Sequence, residues 1–488
     1  MSISQTLSNA TSGLAAAARL AGVASNNIAN ALTPGYSRRD ATLAERATDG
    51  VGAGVSVAGI RNAQSPAITR ELRAASADAA RDSAIASSAR AVADLFGSAE
   101  DPGSLFARYS SFDASLRALA DAPDSASAQD QLLAATKSLA SSVNTVGDKL
   151  QQFRTDADNE IAARVDDVNT ALKEVERLNA AIEKASVSGV DATALFDQRK
   201  AAISKINQSL PVRELIRENG KVDLITPEGA PLLAGSARQI SFTPRPIITA
   251  NDAYSGGAGA LSGISVDGVD ITPGGSARSA SAGALAGLFN VRDQLAPEAA
   301  VQLDAFAQDL VERFSAPGVD PTLAPGAAGL FTDAGAALTP PPAPGLASRL
   351  SVNAAVDPNQ GGALYRLRDG LGATAPGPAG SDVIVRSLIA SIDQPQLSAS
   401  ALGGGKSFSL PELAAELSSV ASARLGTAET SRQASQTYAD SLSEAELSAV
   451  GVDTDAELQK LLVIEQAYAA NARVIETANQ MVQRLLEI

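Results

Sequence analysis

Apolar residues at both ends of the chain recur with the heptad spacing of a helix that packs against another helix. Near the start, eight positions follow one another at alternating steps of four and three: Ile3, Leu7, Ala10, Leu14, Ala17, Ala21, Ala24 and Ile28. Half of them are alanine, which buries little apolar area but allows close approach. The predicted helix ends near Asn30, because Pro34 disfavours helical geometry before it and Gly35 favours a turn.

The last part of the chain carries a second stripe of the same kind. Its positions are Leu461, Ile464, Tyr468, Asn471, Ile475, Ala478, Val482 and Leu485. Asn471 is the one polar member, and a lone asparagine on such a seam fixes register because its amide needs a matching hydrogen-bond partner. An ordinary amphipathic helix in a globular core would show the same periodicity. The pattern alone leaves both interpretations open.

A much longer helix is predicted for residues 126–186, which contain little glycine and no proline. Its apolar stripe breaks phase near Ala157 and then resumes. About 60 residues at 1.5 Å each would span on the order of 90 Å, so this helix is more rod than globule. We expect a second helical stretch, residues 410–438, to return beside it and close an antiparallel bundle.

The predicted secondary structure changes between these two helical stretches. Residues 210–271 contain short β-prone runs separated by Asn219-Gly220 and Glu228-Gly229, which predict hairpins. A helix is predicted for residues 284–315, and the Pro- and Gly-rich residues 317–344 are predicted as loop or linker. The expected fold is mainly α with an inserted β-rich part.

Three domains follow from this pattern. Residues 1–45 with 450–488 would form a terminal coiled-coil assembly domain, and residues 46–205 with 400–449 a long-helix bundle. Residues 206–399 would form a smaller β-rich domain inserted between the helical parts.

The composition of the chain disfavours some partners and excludes several kinds of catalytic and metal site. The chain has 488 residues, a 45% hydrophobic fraction and a formal net charge of −15, which disfavours binding to nucleic acid or to anionic membranes. It has no Cys, His or Trp. Thiol catalysis, disulfides, a Ser-His-Asp relay and His or Cys metal sites are therefore excluded. A carboxylate-only magnesium or calcium site is still possible, but no EF-hand spacing is present, so we predict no catalytic residue, metal ligand or cofactor.

The segment SALGGGKS imitates the end of a phosphate-binding loop at Gly405, Lys406 and Ser407. Ser400 stands where that motif needs its first glycine, and no strand is predicted before it. A glycine linker is the favoured interpretation.

The first 18 residues contain no Lys or Arg, and polar residues interrupt the apolar run, so they do not resemble a secretory signal. No segment is long enough to span a membrane. If the protein is extracellular, we expect export by a route that does not use a cleaved signal peptide.

Several segments resemble known flagellar proteins. NNIANALTPGYSRR, residues 26–39, looks like the N-terminal signature of flagellar rod, hook and hook-associated axial proteins, and EQAYAANARVIETANQM, residues 465–481, resembles their C-terminal one. ALFDQRKAAISKI from Ala194 and GALAGLFNVRD from Gly283 are similar to the family of flagellar hook-associated protein 1, the first junction protein between hook and filament. The residues that carry the resemblance are Asn26, Asn27, Ile28, Asn30, Thr33, Pro34, Gly35, Tyr36, Ser37, Arg38, Asp197, Gln198, Arg199, Gln466 and Ala467.

The resemblance implies a structural subunit without enzymatic activity, exported to the hook–filament junction. Its implied partners are further copies of itself, the hook protein, hook-associated protein 3 and a cytoplasmic export chaperone at the C-terminal helix. The expected assembly interface comprises Ile3, Leu7, Leu14, Ile28, Leu461, Ile464, Tyr468, Asn471, Ile475, Val482 and Leu485. We hypothesise that the terminal helices pair only in the assembly.

Alternatives remain at this point. The hook protein, or another axial rod component, shares both terminal signatures, although its family does not usually carry the two internal segments. A secreted enzyme that uses carboxylates on a helical scaffold is a remote alternative from another class.

Overall fold

The computed structural model describes residues 3–33, 35–48, 51–97, 100–256, 259–273, 281–397, 402 and 405–486. The helices are α1 Ile3–Ala29, α2 Pro66–Phe96, α3 Leu105–Asp121, α4 Ala126–Val187, α5 Thr193–Ser209, α6 Gly283–Asn290, α7 Ala296–Ser315, α8 Leu346–Arg349, α9 Arg366–Asp369, α10 Val383–Asp393, α11 Leu410–Val450 and α12 Thr454–Leu486. A π-helical turn, Val291–Leu295, joins α6 to α7, and short 3₁₀ turns occur at Glu218–Gly220, Ala354–Val356 and Pro358–Gln360.

The strands are short apart from the first two. They are β1 Arg39–Thr48, β2 Val51–Asn62, β3 Arg213–Ile216, β4 Val222–Ile225, β5 Pro231–Ala234, β6 Ser236–Ala237, β7 Ile240–Ser241, β8 Ser265–Val266, β9 Val269–Asp270, β10 Phe331–Asp333, β11 Leu350–Val352, β12 Gln396–Leu397 and β13 Ser407–Phe408. β1 and β2 form an antiparallel hairpin, and β3-β4-β5-β6 and β7-β8-β9 form two small sheets. The mainly α fold with an inserted β part is confirmed.

The predicted helices are present where the patterns placed them. α4 runs for 62 residues, as expected for residues 126–186, and α6 to α7 cover the helix predicted at 284–315. Both predicted hairpins form: Asn219 and Gly220 adopt positive φ between β3 and β4, and Gly229 does so between β4 and β5. Only Gly and Asn tolerate these angles readily, which explains the turn signal.

One loop prediction is wrong. Residues 317–344 were expected to be loop or linker throughout, but Phe331–Asp333 form β10, which pairs with β11. The reason is burial: the Phe331 ring lies 5.6 Å from that of Phe112 and 5.3 Å from that of Phe314, in edge-on geometry. Such aromatic packing fixes a segment that its prolines and glycines alone would leave irregular.

The described chain divides into two compact units. The first comprises Met1–Ala79, Asp166–Ile240 and Ser435–Ile488, and the second comprises Ala80–Val165 and Ser241–Ala434. The division into three domains made above remains a prediction.

The second unit has a large apolar core formed mainly by α3, the first part of α4, α7 and α10. Buried arginines accompany it. Arg292 binds Asp158 at 2.6 Å and Asp293 at 2.8 Å, while Arg313 binds Asp309 and donates to the carbonyls of Ser391, Gln394 and Phe408. Because each guanidinium has several partners, the cost of burying its charge is offset.

The phase break predicted near Ala157 has a physical explanation in this unit. Arg154 and Asp158 occupy buried positions on the core face of α4, between Leu150 and Ile161. Arg154 donates to the carbonyls of Arg292, Thr249 and Asp252. The stripe does not shift; two of its core positions are charged.

In the first unit, buried asparagines fasten strands to helices. Asn169 exchanges two hydrogen bonds of 2.9 Å with the backbone of Ile240, and Asn179 exchanges two, of 2.8 and 3.2 Å, with that of Val222. A side-chain amide can do this because it carries a donor and an acceptor side by side, as a peptide group does. Both asparagines lie on α4, so the long helix holds β4 and β7 in place.

Side chains of α11 bond side chains of α2 within each of the two units. In the first unit, Tyr438 and Glu446 of α11 bond Glu71 and Thr69 of α2, at 2.9 and 2.5 Å. In the second unit, Arg90 of α2 binds Glu429 of α11 at 2.5 Å. These contacts join α11 to α2, a helix that was not predicted from the sequence. The antiparallel pairing of α11 with α4 remains a prediction.

Candidate functional site: the paired terminal helices

Helices α1 and α12 pack against each other along their lengths. The buried residues of the two predicted stripes are all small, namely Ala10, Ala17, Ala24 and Ala478. The larger stripe residues are half-buried, namely Ile3, Leu7, Leu14, Ile28, Leu461, Ile464, Asn471, Ile475 and Val482. Tyr468 and Leu485 are exposed. The two predicted seams therefore face each other in one chain, with alanines at the centre.

The polar seam residue, Asn471, lies against a glycine. A Cβ atom built on Gly13 would come within 2.7 Å of Asn471 Oδ1 and 2.8 Å of its Cγ and Nδ2. Atoms do not approach so closely, so the asparagine occupies space that only glycine leaves free. Asn471 also donates to the Ala467 carbonyl at 2.9 Å. This pair fixes how far α1 is displaced along α12.

A second apolar stripe on α12 lies beside the face that α1 covers. Val463, Val474, Met481 and Leu485 are between 40% and 66% exposed, and they lie at steps of eleven, seven and four, with the exposed Ala467 and Ala470 between them. These steps keep the residues on one helix face. The helix is thus apolar on two adjacent faces, of which one is covered by α1; we call the other the free stripe.

The β1-β2 hairpin packs on α1. Val55 N–H donates to Ser12 Oγ at 3.1 Å, and Gln5 donates to the Gly52 carbonyl at 3.3 Å. Gly54 has φ of +99°, and a Cβ there would lie 2.0 Å from Ser12 Oγ. This hairpin was not among the elements predicted from the sequence, although Val51, Ala53, Val55 and Val57 alternate with other residues as in a half-buried strand.

Asn27 organises the turn that follows α1. It is fully buried, donates to the Arg39 carbonyl at 2.9 Å and accepts the Arg39 N–H at 2.9 Å and the Tyr36 hydroxyl at 2.8 Å. The Arg39 guanidinium lies 5.0 Å from the centre of the Tyr36 ring. The pair of hydrogen bonds between the Asn27 amide and the Arg39 backbone has the same form as those that Asn169 and Asn179 make with Ile240 and Val222. It directs the chain from α1 into β1.

The internal signature meets this turn. Asp197 of α5 accepts from Asn62 Nδ2 at 2.7 Å and lies 3.7 Å from the Arg39 guanidinium. Burial raises the pKa of Asp197, while Arg39 and the Ser37 N–H act in the opposite direction. Signature segments that are 160 residues apart in sequence therefore form one polar cluster. Asn62, which links Asp197 to β2, could not have been identified from its own sequence context.

The remaining signature residues serve local structure or are exposed. Asn30 Nδ2 donates to the Asn26 carbonyl at 2.9 Å, Thr33 Oγ1 donates to Asn30 Oδ1 at 3.3 Å, and Gly35 has φ of +80°. Arg38 N–H donates to the Val450 carbonyl at 2.9 Å. Arg199 is buried beneath Phe196, whereas Gln198, Gln466 and Ala467 are exposed. Pro34 lies outside the described residues.

No catalytic arrangement emerges from the described ranges. Within them, no three acidic side chains gather as cation ligands. Among these same residues, no helix combines the length and the apolar character needed to cross a bilayer. In the segment that resembles the end of a phosphate-binding loop, Ser407 begins the short strand β13 rather than a helix. Residues 398–401, 403 and 404 lie outside the described ranges.

Comparisons with known proteins agree with these observations. The sequence model of the flagellar hook-associated protein FlgK helical domain matches residues 89–320, and that of the flagellar basal body rod FlgEFG protein C-terminal region matches residues 445–488. The second match contains all of α12, including the free stripe. The first contains the last part of α2 and all of α3 to α7.

The curated relatives share one name, flagellar hook-associated protein 1. Flagellar hook-associated protein 1 of Escherichia coli (strain K12) is 26% identical over 250 residues, and that of Salmonella typhimurium is 25% identical over 250 residues. In both cases the match covers 50% of this chain and 45% of the relative, so the chain spans about half the length of these relatives.

A solved structure, titled the structure of the flagellar hook junction protein FlgK from Burkholderia pseudomallei, is 22% identical with a TM-score of 0.43, over 54% of this chain and 46% of that one. Residues 89–320 of this chain match the helical domain of flagellar hook-associated protein FlgK, and half of the chain is similar to flagellar hook-associated protein 1 of Escherichia coli.

Proposed function

We propose that this chain is a structural subunit of the bacterial flagellum that forms the junction between hook and filament by self-assembly and serves as an adaptor for filament attachment. The match to the FlgK helical domain and the similarity to flagellar hook-associated protein 1 support this proposal. The observation that carries it is the free stripe on α12, because a helix that is already packed against α1 has a second apolar face ready for a neighbouring copy.

The four side chains of the free stripe are only partly buried in the single chain. Val463, Val474, Met481 and Leu485 each keep about half of their surface in water. Covering them in a neighbouring subunit would contribute roughly 1 kcal/mol each, about half of the value for full burial of such a side chain. One such contact is weak, but a closed ring repeats it for every subunit. Assembly of many copies would thus be stable although a single pair is not.

The partners follow from the same proposal. Copies of this chain would contact one another through the terminal helices, with the hook protein on one side and hook-associated protein 3 on the other. The free stripe would need a cytoplasmic export chaperone before assembly, since exposed apolar helices aggregate. The protein would act outside the cell. Its net charge of −15 gives no support to a nucleic-acid partner.

The test is to delete the gene, reintroduce variants, and examine the cells by electron microscopy while assaying filament protein in the medium. Deletion should leave complete hooks without filaments, with filament protein lost to the medium. Val474→Asp, which puts a charge on the free stripe, should have the same effect. Val301→Asp is the matched control, because Val301 of α7 is exposed to a similar degree, 53%, and lies off the stripe; it should restore filaments.

Other outcomes have definite meanings. Absent hooks in the deletion strain would indicate a hook protein, and normal filaments would refute a junction role. If Val474→Asp restored filaments as well as the unaltered gene, the free stripe would not be the assembly surface.

A further inference from the structure

A cleft of about 730 Å³ opens beside β3 in the first unit. All four residues of β3, Arg213 to Ile216, line it. Since successive side chains of a strand point to opposite faces, a cavity that reaches four consecutive residues lies along the edge of the strand. β3 is the terminal strand of the β3-β4-β5-β6 sheet and its ladder partner is β4. The cleft therefore borders the free edge of this sheet.

The cleft is basic although the chain is strongly acidic. Its lining contains five basic side chains, those of Arg70, Arg73, Arg199, Lys200 and Arg213, and two acidic ones, those of Asp197 and Glu214. Both acidic groups are engaged: Asp197 with Asn62 and Glu214 with Arg73, the latter at 2.5 Å. Arg70 and Arg213 are exposed, and no carboxylate of the described residues lies within ion-pair distance of either. A positive excess faces the cavity.

Arg199 gives an independent indication of an anionic ligand. It is more than nine-tenths buried, and its hydrogen bonds go to neutral oxygens, those of the Asn179 side chain at 2.9 Å and the Gly220 backbone at 2.6 Å. Burial lowers the pKa of Arg199, with Glu214 acting weakly in the opposite direction. A buried guanidinium without a bonded carboxylate is costly. An anion that enters the cleft would offset that cost.

Apolar surface completes the lining. Phe196, Ile203, Val212 and Val222 contribute to it, and Ile216 is largely exposed at the mouth. A free strand edge, apolar positions beside it and a basic wall are the three elements that bind extended peptides by strand addition: the backbone supplies affinity, and alternate side chains supply specificity.

We propose that this cleft binds an extended segment of a partner protein, which adds as a strand to β3 and places a carboxylate side chain against Arg70, Arg199 and Arg213. The charge of the cleft selects the acidic segment. Its apolar lining receives the side chain that alternates with the carboxylate. This surface does not include the free stripe on α12, so the proposal does not depend on the assembly role.

The test uses the full-length chain and a fluorescently labelled short peptide, blocked at both ends, in which valine and aspartate alternate. Fluorescence anisotropy should show saturable binding. Reversing both exposed charges, Arg70→Glu with Arg213→Glu, should weaken binding at least about tenfold, because like charges across an interface repel. Arg108→Glu is the control: Arg108 is exposed on α3 in the second unit, and its reversal should leave binding unchanged.

Two peptide controls separate backbone pairing from charge attraction. Methylation of the peptide nitrogens keeps the carboxylates but removes the donors, so binding should be lost. Replacing aspartate by lysine should also abolish binding. The proposal is overturned if the valine–aspartate peptide does not bind, if the double charge reversal has no effect, or if the methylated peptide binds as well as the unmodified one.

Discussion

Replacing Asn27 by alanine tests the turn that joins α1 to the hairpin. The substitution removes one side chain but three hydrogen bonds, to Arg39 N–H, the Arg39 carbonyl and the Tyr36 hydroxyl, all between 2.8 and 2.9 Å. Each partner left without a bond costs about 1–3 kcal/mol when it is fully buried. Arg39 and Tyr36 are half-buried, so water can replace part of what is lost. We therefore expect a local cost of about 2–3 kcal/mol.

Hydrogen exchange at the Arg39 amide measures this cost directly, because that amide donates to Asn27. A loss of about 2.7 kcal/mol corresponds to roughly a hundredfold faster exchange. Tyr36→Phe removes one of the three bonds and leaves the Arg39 pairing intact, so it should speed exchange at Arg39 by less than about tenfold. Amides of α7, in the other unit, are the internal reference and should not change.

The reasoning would be refuted by an Arg39 amide that exchanges at the same rate in Asn27→Ala as in the unaltered chain. Equal effects of Asn27→Ala and Tyr36→Phe would also contradict it, since the two-point bond to the backbone would then contribute nothing beyond the hydroxyl contact.

Three further predictions concern packing and charge. Gly13→Ala should lower the thermal midpoint because the new Cβ would overlap the Asn471 side chain. Adding Asn471→Ala should restore part of the loss, whereas additive losses in the double variant would argue against contact between residues 13 and 471. Arg292→Met leaves Asp158 buried without its cation and should cost about 3–5 kcal/mol in urea unfolding, whereas Arg164→Met, which removes an exposed pair with Glu160, should cost less than about 1 kcal/mol. Hydrogen bonds from Arg90 and then Arg432 lower the pKa of Glu429, so this carboxylate stabilises the fold above its unfolded pKa and ceases to do so as pH falls through the folded one. Arg90→Gln should therefore lower the thermal midpoint at neutral pH, and this effect should shrink as pH falls below the unfolded pKa of glutamate, about 4.3, and on through the lower folded pKa; a difference that stays constant in acid would count against the linkage.

Periodicity predicted α4 and the two terminal helices, although not the 31-residue helix α2, because the buried positions of the former follow it closely. α4 and the two terminal helices appear with nearly the expected limits, since their apolar positions recur over many turns. The hairpin turns at Asn219-Gly220 and Gly229 were predicted for a different reason, namely that positive φ strongly restricts residue type.

What the sequence could not supply was long-range pairing of polar groups. Arg154 and Asp158 looked like a break in the α4 stripe because charged residues are rarely core residues, and their partners, Arg292 and the carbonyl of Thr249, are remote in sequence. β10 was missed similarly, because its stability comes from Phe112 and Phe314 rather than from its own residues. At the terminal helices, the sequence indicated one seam on each; the second face of α12 became visible only when α1 covered the first.

The most direct measurement of the central claim is cross-linking of neighbouring copies in isolated flagella. The chain contains no cysteine, so Val474→Cys provides a unique thiol on the free stripe, and Val301→Cys provides a matched one elsewhere. With a short thiol-reactive cross-linker, the account predicts covalent linkage between copies for Val474→Cys and none for Val301→Cys, in material that retains the hook–filament junction. Absence of the protein from that material, or equal linkage at both positions, would contradict assembly through the free stripe.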